Sequence, residues 1–321
     1  MSDNNPRCSV VVRAFNEEKH IGRLLTGIMH QTIKEVEIVL VDSGSSDATV
    51  AIAARYPVKI VHIRPEEFTF GRSLNRGIEQ TTSESVVIAS AHVYPVFPDW
   101  LERLLEPFDN PRVALVYGKQ RGNESSYYSE QQHFAKLFPA ERIAVQKHPF
   151  CNNANAAIRR TLWQQHPYDE SLSGLEDLEW ANWALGEGHH IAYIAEAEII
   201  HVHDETPQGV YNRYRREAMA FKRIFPQETF SLSDFFRLLV TNISSDIWHA
   251  ARQGKLGSSL GGILWFRWNQ FWGTYQGYRQ AGPLTWQLRK TFYYPNGLRA
   301  SADDPTRNVE PIQYQDIVEK S

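Results

Sequence analysis

Through its first 120 residues the chain alternates short apolar runs with helical patterns, and this alternation restricts its possible folds more than any other feature. Residues 10–12 read as a strand. Ile21, Leu24, Leu25 and Ile28 then recur at i, i+3, i+4 and i+7, one face of a helix. Asn16 stands where a helix cap is expected, with Glu17 and Glu18 in the first turn. Residues 36–41 and 58–63 predict strands separated by a helix over 47–56. A helix over 72–80, a strand over 86–89, a helix from Asp99 and a strand over 113–117 follow. This order implies an α/β fold with a mainly parallel, twisted sheet covered by helices. In such sheets ligands bind at the carboxyl ends of the strands.

The rhythm then changes. Residues 176–185 predict a helix closed by Gly186 and Gly188, followed by short strands around 191–194 and 198–202. Thr206-Pro207 pairs a cap residue with a proline suited to the first helical position. Beyond it only helical patterns remain, near 207–225, 232–253 and 258–281, before a polar tail. The chain thus divides into an α/β unit over 1–205 and a helical region over 206–321. Neither internal repeats nor low-complexity segments interrupt it.

A net charge of −3 over 321 residues offers no positive field for tracking phosphates, which argues against nucleic acid as a partner. Cys8 and Cys151 match no metal spacing and form no disulfide framework, so a reducing compartment is expected. The polar N-terminus has no apolar signal core, and the best membrane candidate, 263–272, is interrupted by Arg267, Asn269 and Gln270. A cytoplasmic protein is expected, in loose contact at most with the inner face of a membrane. The aromatic and Arg-bearing stretch over 263–280 reads first as helix–helix core and second as such an interfacial surface.

Chemistry concentrates after the strands. "SVVVRAFNEE" ends the first strand, and "EIVLVDSGSSDAT" puts Asp42 at the end of the second. There its carboxylate can accept hydrogen bonds from a nucleobase or ribose. Asp47 reads as a helix cap. "FGRSLNRGIEQ" carries Arg72 and Asn75, "EDLEW" spans 176–180, and "HVHDE" spans 201–205. In this order the segments resemble family-2 inverting glycosyltransferases of the GT-A fold, and among them bacterial polysaccharide-assembly, rhamnosyltransferase-like members. The likeness covers roughly residues 7–205.

The resemblance implies a nucleotide-sugar donor held by Phe15, Asn16, Glu17, Asp42, Arg72, Asn75, Ser90 and Ala91. It implies Asp177 as the base that deprotonates the acceptor, with Glu176 and Trp180 contacting a saccharide or lipid-linked acceptor. The family's acidic metal motif is replaced here by Ser90-Ala91-His92. His92 is therefore the expected metal ligand, and imidazole favours Mn²⁺ over Mg²⁺. His203 is preferred to His201 as its partner because Asp204 follows it. Arg213, Arg216 and Arg223 share a helical face that reads first as a solvated basic surface and second as a grip on phosphates. A nucleotidyltransferase is the competing enzyme class, but "RAFNEE" lacks the glycine-rich loop such an enzyme needs. A non-catalytic sugar-nucleotide-binding subunit is the competing non-enzyme.

Overall fold

The computed structural model describes residues 6–293 apart from Ser125, Asp204, Ala281, Pro283 and Leu284. The expected polar tail and the Asp204 that favoured His203 lie outside the described residues. The strands are β1 (Cys8–Ala14), β2 (Val36–Asp42), β3 (Lys59–His62), β4 (Ser85–Ser90), β5 (Val93–Pro95), β6 (Val113–Arg121), β7 (Ile143–Gln146), β8 (Asn155–Arg159) and β9 (His190–His201). The α-helices are α1 (Ile21–Met29), α2 (Thr49–Ala53), α3 (Phe70–Ile78), α4 (Trp100–Leu105), α5 (Tyr128–Leu137), α6 (Arg160–Gln165), α7 (Glu176–Gly186), α8 (Pro207–Ile224), α9 (Leu232–Arg252), α10 (Leu256–Arg279) and α11 (Trp286–Tyr293).

The strands form one sheet in the order β3-β2-β1-β4-β8-β6-β9-β5, with β7 on β9. The first four run parallel, as the α/β alternation requires. β1 is a near-continuous valine run buried on both faces, the pattern of a central parallel strand. Val10 and Val12 pack under α1, whose Ile21, Leu24, Leu25 and Ile28 are all buried, and Val11 faces the opposite core beneath α3. β8 enters antiparallel between β4 and β6, so the second half of the sheet is mixed. Strand direction leaves no trace in hydropathy, and "NAAIR" is too short and too small for its period to stand out. The two strands expected around 191–202 are one, β9, running alongside a register shift at Gly118/Gln120 of β6.

Asn16 does not cap α1. The helix begins five residues later, at Ile21 after His20, with no side-chain cap. Asn16 instead accepts from the Ser46 N–H and, with φ of 56°, turns the chain leaving β1 toward the β2 loop.

The three long helices meet the sequence expectation within a few residues. α10 lies in close contact with α8 because Gly273 and Gly277 leave room for the α8 backbone, with the Tyr211 and Arg215 carbonyls against them. α9 is tied to α10 by Arg267, which is 1% exposed and donates from Nε to Asp246 at 2.8 Å. Asp246 also accepts from Ser129 of α5 at 2.7 Å, so the pair is satisfied as burial demands. The residue that interrupts the apolar run is thus a core residue.

Gly277→Ala should destabilise the protein by about 1–3 kcal/mol, the usual cost of overpacking. A Cβ there meets the Arg215 carbonyl and the Ala218 methyl. Gly261→Ala, in open space on the same helix, should be neutral or stabilising by up to about 1 kcal/mol. Denaturant midpoints check this, and equal losses at both sites would contradict the close approach of α8 and α10.

Candidate active site

The carboxyl ends of β1, β4 and β9 open into a cleft of about 670 Å³, walled on one side by α8. β1 contributes Arg13 and the Asn16–Glu17 turn, β4 and its following turn contribute Ser90 and His92, and β9 contributes His201 with His203 just beyond. The start of α7 contributes Leu175, Glu176 and Asp177, and α8 contributes Arg213, Arg216 and Glu217. Among the described residues the non-glycine residues with positive φ are Asn16 and Leu175, and both line this cleft. Asparagine tolerates that conformation, whereas leucine at φ 57° is strained. The strain sits immediately before the two acids of α7 and fixes where they point.

Asp177 is buried on the cleft floor. One carboxylate oxygen accepts from the Asn153 N–H at 3.0 Å and the other from the Leu178 N–H at 2.8 Å. Burial, and then the charge of neighbouring Glu176, pushes its pKa up to about 7, against those two N–H groups and Arg13. Cys151 and Tyr168 face the same pair of acids from below. Glu176 is held by Arg13 at 3.1 Å and by the Asn153 side chain. Arg13 and Arg216 each stack on Phe70 at 4.7 Å from the ring centre, bringing two guanidinium groups into one wall of the cleft.

His92, His201 and His203 cluster at the other end. Each offers one ring nitrogen, and the three nitrogens lie within 4.8 Å of one another. His92 Nδ1 meets Glu17 at 2.7 Å, His201 Nδ1 meets Gln120 at 2.8 Å, and His203 Nδ1 meets Glu130 at 2.7 Å. Burial works against charge on His92, but the adjacent Glu17 outweighs it and raises the pKa. Burial, then His203, His92 and Arg213, drives His201 well below the ordinary imidazole range. The cluster could hold a divalent ion. A second group of potential ligands, Glu130, His203 and Glu205, already surrounds the Arg213 guanidinium, which bonds Glu205 at 2.7 Å and Glu130 at 3.2 Å. Arg213 is therefore not part of a solvated surface. Arg223, ten residues on, bonds Ser171 away from the cleft.

The structure brings together Asn16, Glu17, Ser90, His92, Glu176, Asp177 and His203 of the expected set. Phe15 lines a smaller adjoining cavity of about 200 Å³, together with Ser43, Phe68 and Phe70, covered by Phe292 and Tyr293 of α11. The other expected residues are elsewhere. Trp180 is completely buried, its indole N–H donating to the His166 carbonyl, and it cannot contact an acceptor. Asn75 spends its amide on Trp163, Tyr168 and Glu170, and Arg72 pairs with Glu170 at 2.6 Å. Both fasten α3 to the segment before α7. Ala91 is fully buried in the core. Asp42 is 3% exposed and turned into its own loop, accepting from the Gly44 and Ser45 N–H groups and meeting His62. It does not line the cleft.

Several residues of the site were not singled out from sequence. Arg13, which lines the cleft, had a signal, a lone charge ending a valine run. Glu130 and Gln120, which hold His203 and His201 from behind, had none, because nothing local relates α5 or β6 to the histidines.

The curled mixed sheet with its cleft at the strand ends is the GT-A architecture. Residues 9–166 match the model described as glycosyl transferase family 2, and the chain belongs to that family as a glycosyltransferase. The O-antigen chain rhamnosyltransferase RfbN of Salmonella typhimurium is 25% identical over 221 residues, 65% of this chain and 70% of RfbN. The O-antigen chain rhamnosyltransferase WbaN of Salmonella anatum is 28% identical over 196 residues, 57% of this chain and 62% of WbaN. Among solved structures, a Pyrobaculum calidifontis mannosyltransferase in complex with GDP-Man and Mn²⁺ superposes with a TM-score of 0.58 at 19% identity, covering 91% of this chain and 88% of its own. Glucosyl-3-phosphoglycerate synthase of Mycobacterium tuberculosis gives 0.52 at 21% identity, covering 70% and 81%. At these identities the structural likeness concerns the fold.

Proposed function

We propose that the chain transfers a sugar, with inversion, from a nucleoside-diphosphate donor to a hydroxyl of a saccharide or lipid-linked acceptor in surface-polysaccharide assembly. The two rhamnosyltransferase relatives favour a deoxyhexose donor of the rhamnose type. The observation that carries the reading is Asp177, a buried carboxylate on the cleft floor whose pKa of about 7 suits a general base at neutral pH. Asp177 takes the acceptor proton. The acceptor oxygen attacks the anomeric carbon from the face opposite the diphosphate, and the electron pair of the breaking bond stays with the phosphate. Arg13 and Arg216 stabilise the negative charge that develops there. His92 and His203 fit a divalent ion, Mn²⁺ in preference to Mg²⁺, which when bound supplies further charge neutralisation to the leaving group.

The acceptor side bears on location. Among the described residues no helix is long and apolar enough to cross a membrane. The α9–α10 pair nevertheless exposes Leu232, Phe236 and Val240 along one helix and Leu260, Leu264 and Trp268 along the other. Phe235 touches both Phe236 and Trp268, so the two rows join. With Arg267 buried against Asp246 and Arg237 paired with Asp234, the exposed charges left over 232–279 are the basic Arg252, Lys255 and Arg279. Arg252 lies over the half-exposed Trp248 at 4.0 Å. An apolar face with a basic rim fits an anionic lipid surface, where a lipid-linked acceptor is presented.

Asp177→Asn should retain donor binding while transfer falls roughly 10²–10⁴-fold. Because the base works ionised, wild-type kcat/KM should rise with pH through an apparent pKa of about 7. Glu176→Gln should move that limb downward, since a repelling charge is lost. Near-normal turnover in Asp177→Asn would remove it from the mechanism.

Chelation should abolish nucleotide release from the sugar nucleotide, and Mn²⁺ should restore it better than Mg²⁺. A panel of dTDP-rhamnose, UDP-sugars and GDP-mannose identifies the donor. Full activity in chelator would leave Arg13 and Arg216 as metal-free stabilisers.

Wild-type protein should co-sediment with phosphatidylglycerol vesicles at low salt and not with phosphatidylcholine. The Phe236→Ser/Trp268→Ser double variant should lose that binding without losing its fold. Absence of wild-type binding at low salt would refute the membrane contact.

A further inference from the structure

We infer that His92, His201 and His203 together form a three-imidazole site that binds a borderline transition ion of the Zn²⁺ or Co²⁺ type without nucleotide. This deepens the metal reading above and rests on its use of His92 and His203. It adds His201 as a ligand in its own right and makes the site self-sufficient, where a two-histidine site would depend on the donor diphosphate to hold its ion.

The first observation is convergence. The rings of His92 and His201 stack with centres 5.1 Å apart, those of His201 and His203 lie 4.1 Å apart, and those of His92 and His203 5.8 Å apart. One nitrogen from each is within 4.8 Å of the others. Tetrahedral ligands with bonds of about 2.0–2.1 Å stand roughly 3.3 Å from one another, so small side-chain rotations bring all three onto one ion.

The second observation is the fixed tautomer. Each Nδ1 faces an oxygen: Glu17, Gln120 and Glu130 in turn. Each Nδ1 therefore carries the hydrogen, which leaves Nε2 as the nitrogen with the free lone pair on each ring. Anchoring the far nitrogen of a metal-binding imidazole on a carboxylate or amide oxygen orients the ring and raises its basicity. The three anchors come from three separate elements, the turn after β1, β6 and α5.

The third observation is His201 Nε2. It is buried and has no hydrogen-bond partner. A buried unpaired acceptor is costly, and here it sits on a ring stacked against His92 and close to His203. A bound cation satisfies it. Three neutral imidazoles would leave the ion its full charge, and Glu17 and Glu130 would balance it from behind. Nitrogen-only ligation disfavours Mg²⁺ and ranks Mn²⁺ below Co²⁺ and Zn²⁺.

The test uses the full-length chain, stripped with chelator and free of nucleotide. Titration with Co²⁺ should give one equivalent bound by calorimetry and a visible ligand-field absorption. Zn²⁺ should displace the Co²⁺ stoichiometrically, whereas Mg²⁺ should not. His201→Gln should weaken Co²⁺ binding tenfold or more, and Zn²⁺ should raise the melting temperature of the wild type but not of His92→Gln. Circular dichroism checks that both variants are folded. Failure of the wild type to bind Co²⁺ overturns the inference. So does unaltered binding in His201→Gln alongside loss in His92→Gln. Sugar transfer by a protein that binds no Co²⁺ removes this site and leaves the glycosyl-transfer reading intact. Stoichiometric Co²⁺ binding with no turnover of any sugar nucleotide does the reverse.

Discussion

A ladder of three residues sets the geometry of the cleft. β5 runs antiparallel to the end of β9, with Val93 opposite His201 and the Val202 N–H donating to the His92 carbonyl at 3.1 Å. β4 and β9 are not neighbours in the sheet, since β8 and β6 lie between them. Only because the chain turns back after Ser90 and pairs with β9 does His92 come to lie against His201 and His203. The alternation of side chains along paired strands puts residues 201 and 203 on one face, and the pairing brings His92 to it. Slipping this ladder by one residue would turn the histidines away from one another.

The helical C-terminal region is part of the same construction. α8 supplies Arg213, which braces Glu130 and Glu205 behind His203, and Arg216, which shares Phe70 with Arg13. α8 is held in turn by α10 through two glycines, and α10 by α9 and α5 through the buried Arg267–Asp246–Ser129 cluster. Removing Arg267 or Asp246 leaves an uncompensated buried charge, a loss of roughly 3–5 kcal/mol. Its effect would reach the cleft through the position of α8. The basic residues of α8 that the sequence suggested were solvated are instead divided by role: two face the cleft and one fastens the 171 loop.

How far the chain could be read in advance follows from the range over which each signal acts. Periodicity is local, and it located the parallel half of the sheet and the three long helices to within about two residues at each end. Strand direction, β5, β7, β8 and α5 depend on partners far away in sequence, and they went unread. The same division holds in the cleft. Asp177 and His92 were visible because position after a core strand or at a helix start, joined to the family resemblance, is a local cue. Trp180 and Asn75 follow the same motifs but turn inward, to the His166 carbonyl and to Tyr168 with Trp163, while Arg72 stays partly exposed and pairs with Glu170. A motif identifies neighbours in sequence and says nothing about which of them the fold uses as fasteners.

The two ends of the cleft solve opposite electrostatic problems. At the α7 end, burial and a second carboxylate raise the proton affinity of Asp177, while Arg13 and two backbone N–H groups limit the rise, leaving the group near neutrality. At the β9 end, burial and neighbouring imidazoles suppress the proton affinity of His201, and carboxylates sit behind His92 and His203 rather than among the ring nitrogens. In the proposed mechanism a proton acceptor and a cation receptor share one cleft and must not exchange roles. Their separation rests on where the acids are placed: Glu176 stands beside Asp177 and competes with it, whereas Glu17 and Glu130 stand behind the histidines and orient them. Under the proposed roles, moving either kind of acid by one side-chain length would turn the base into a spectator or a metal-binding imidazole into a protonated one. That sensitivity accounts for the number of buried hydrogen bonds committed to holding these few side chains.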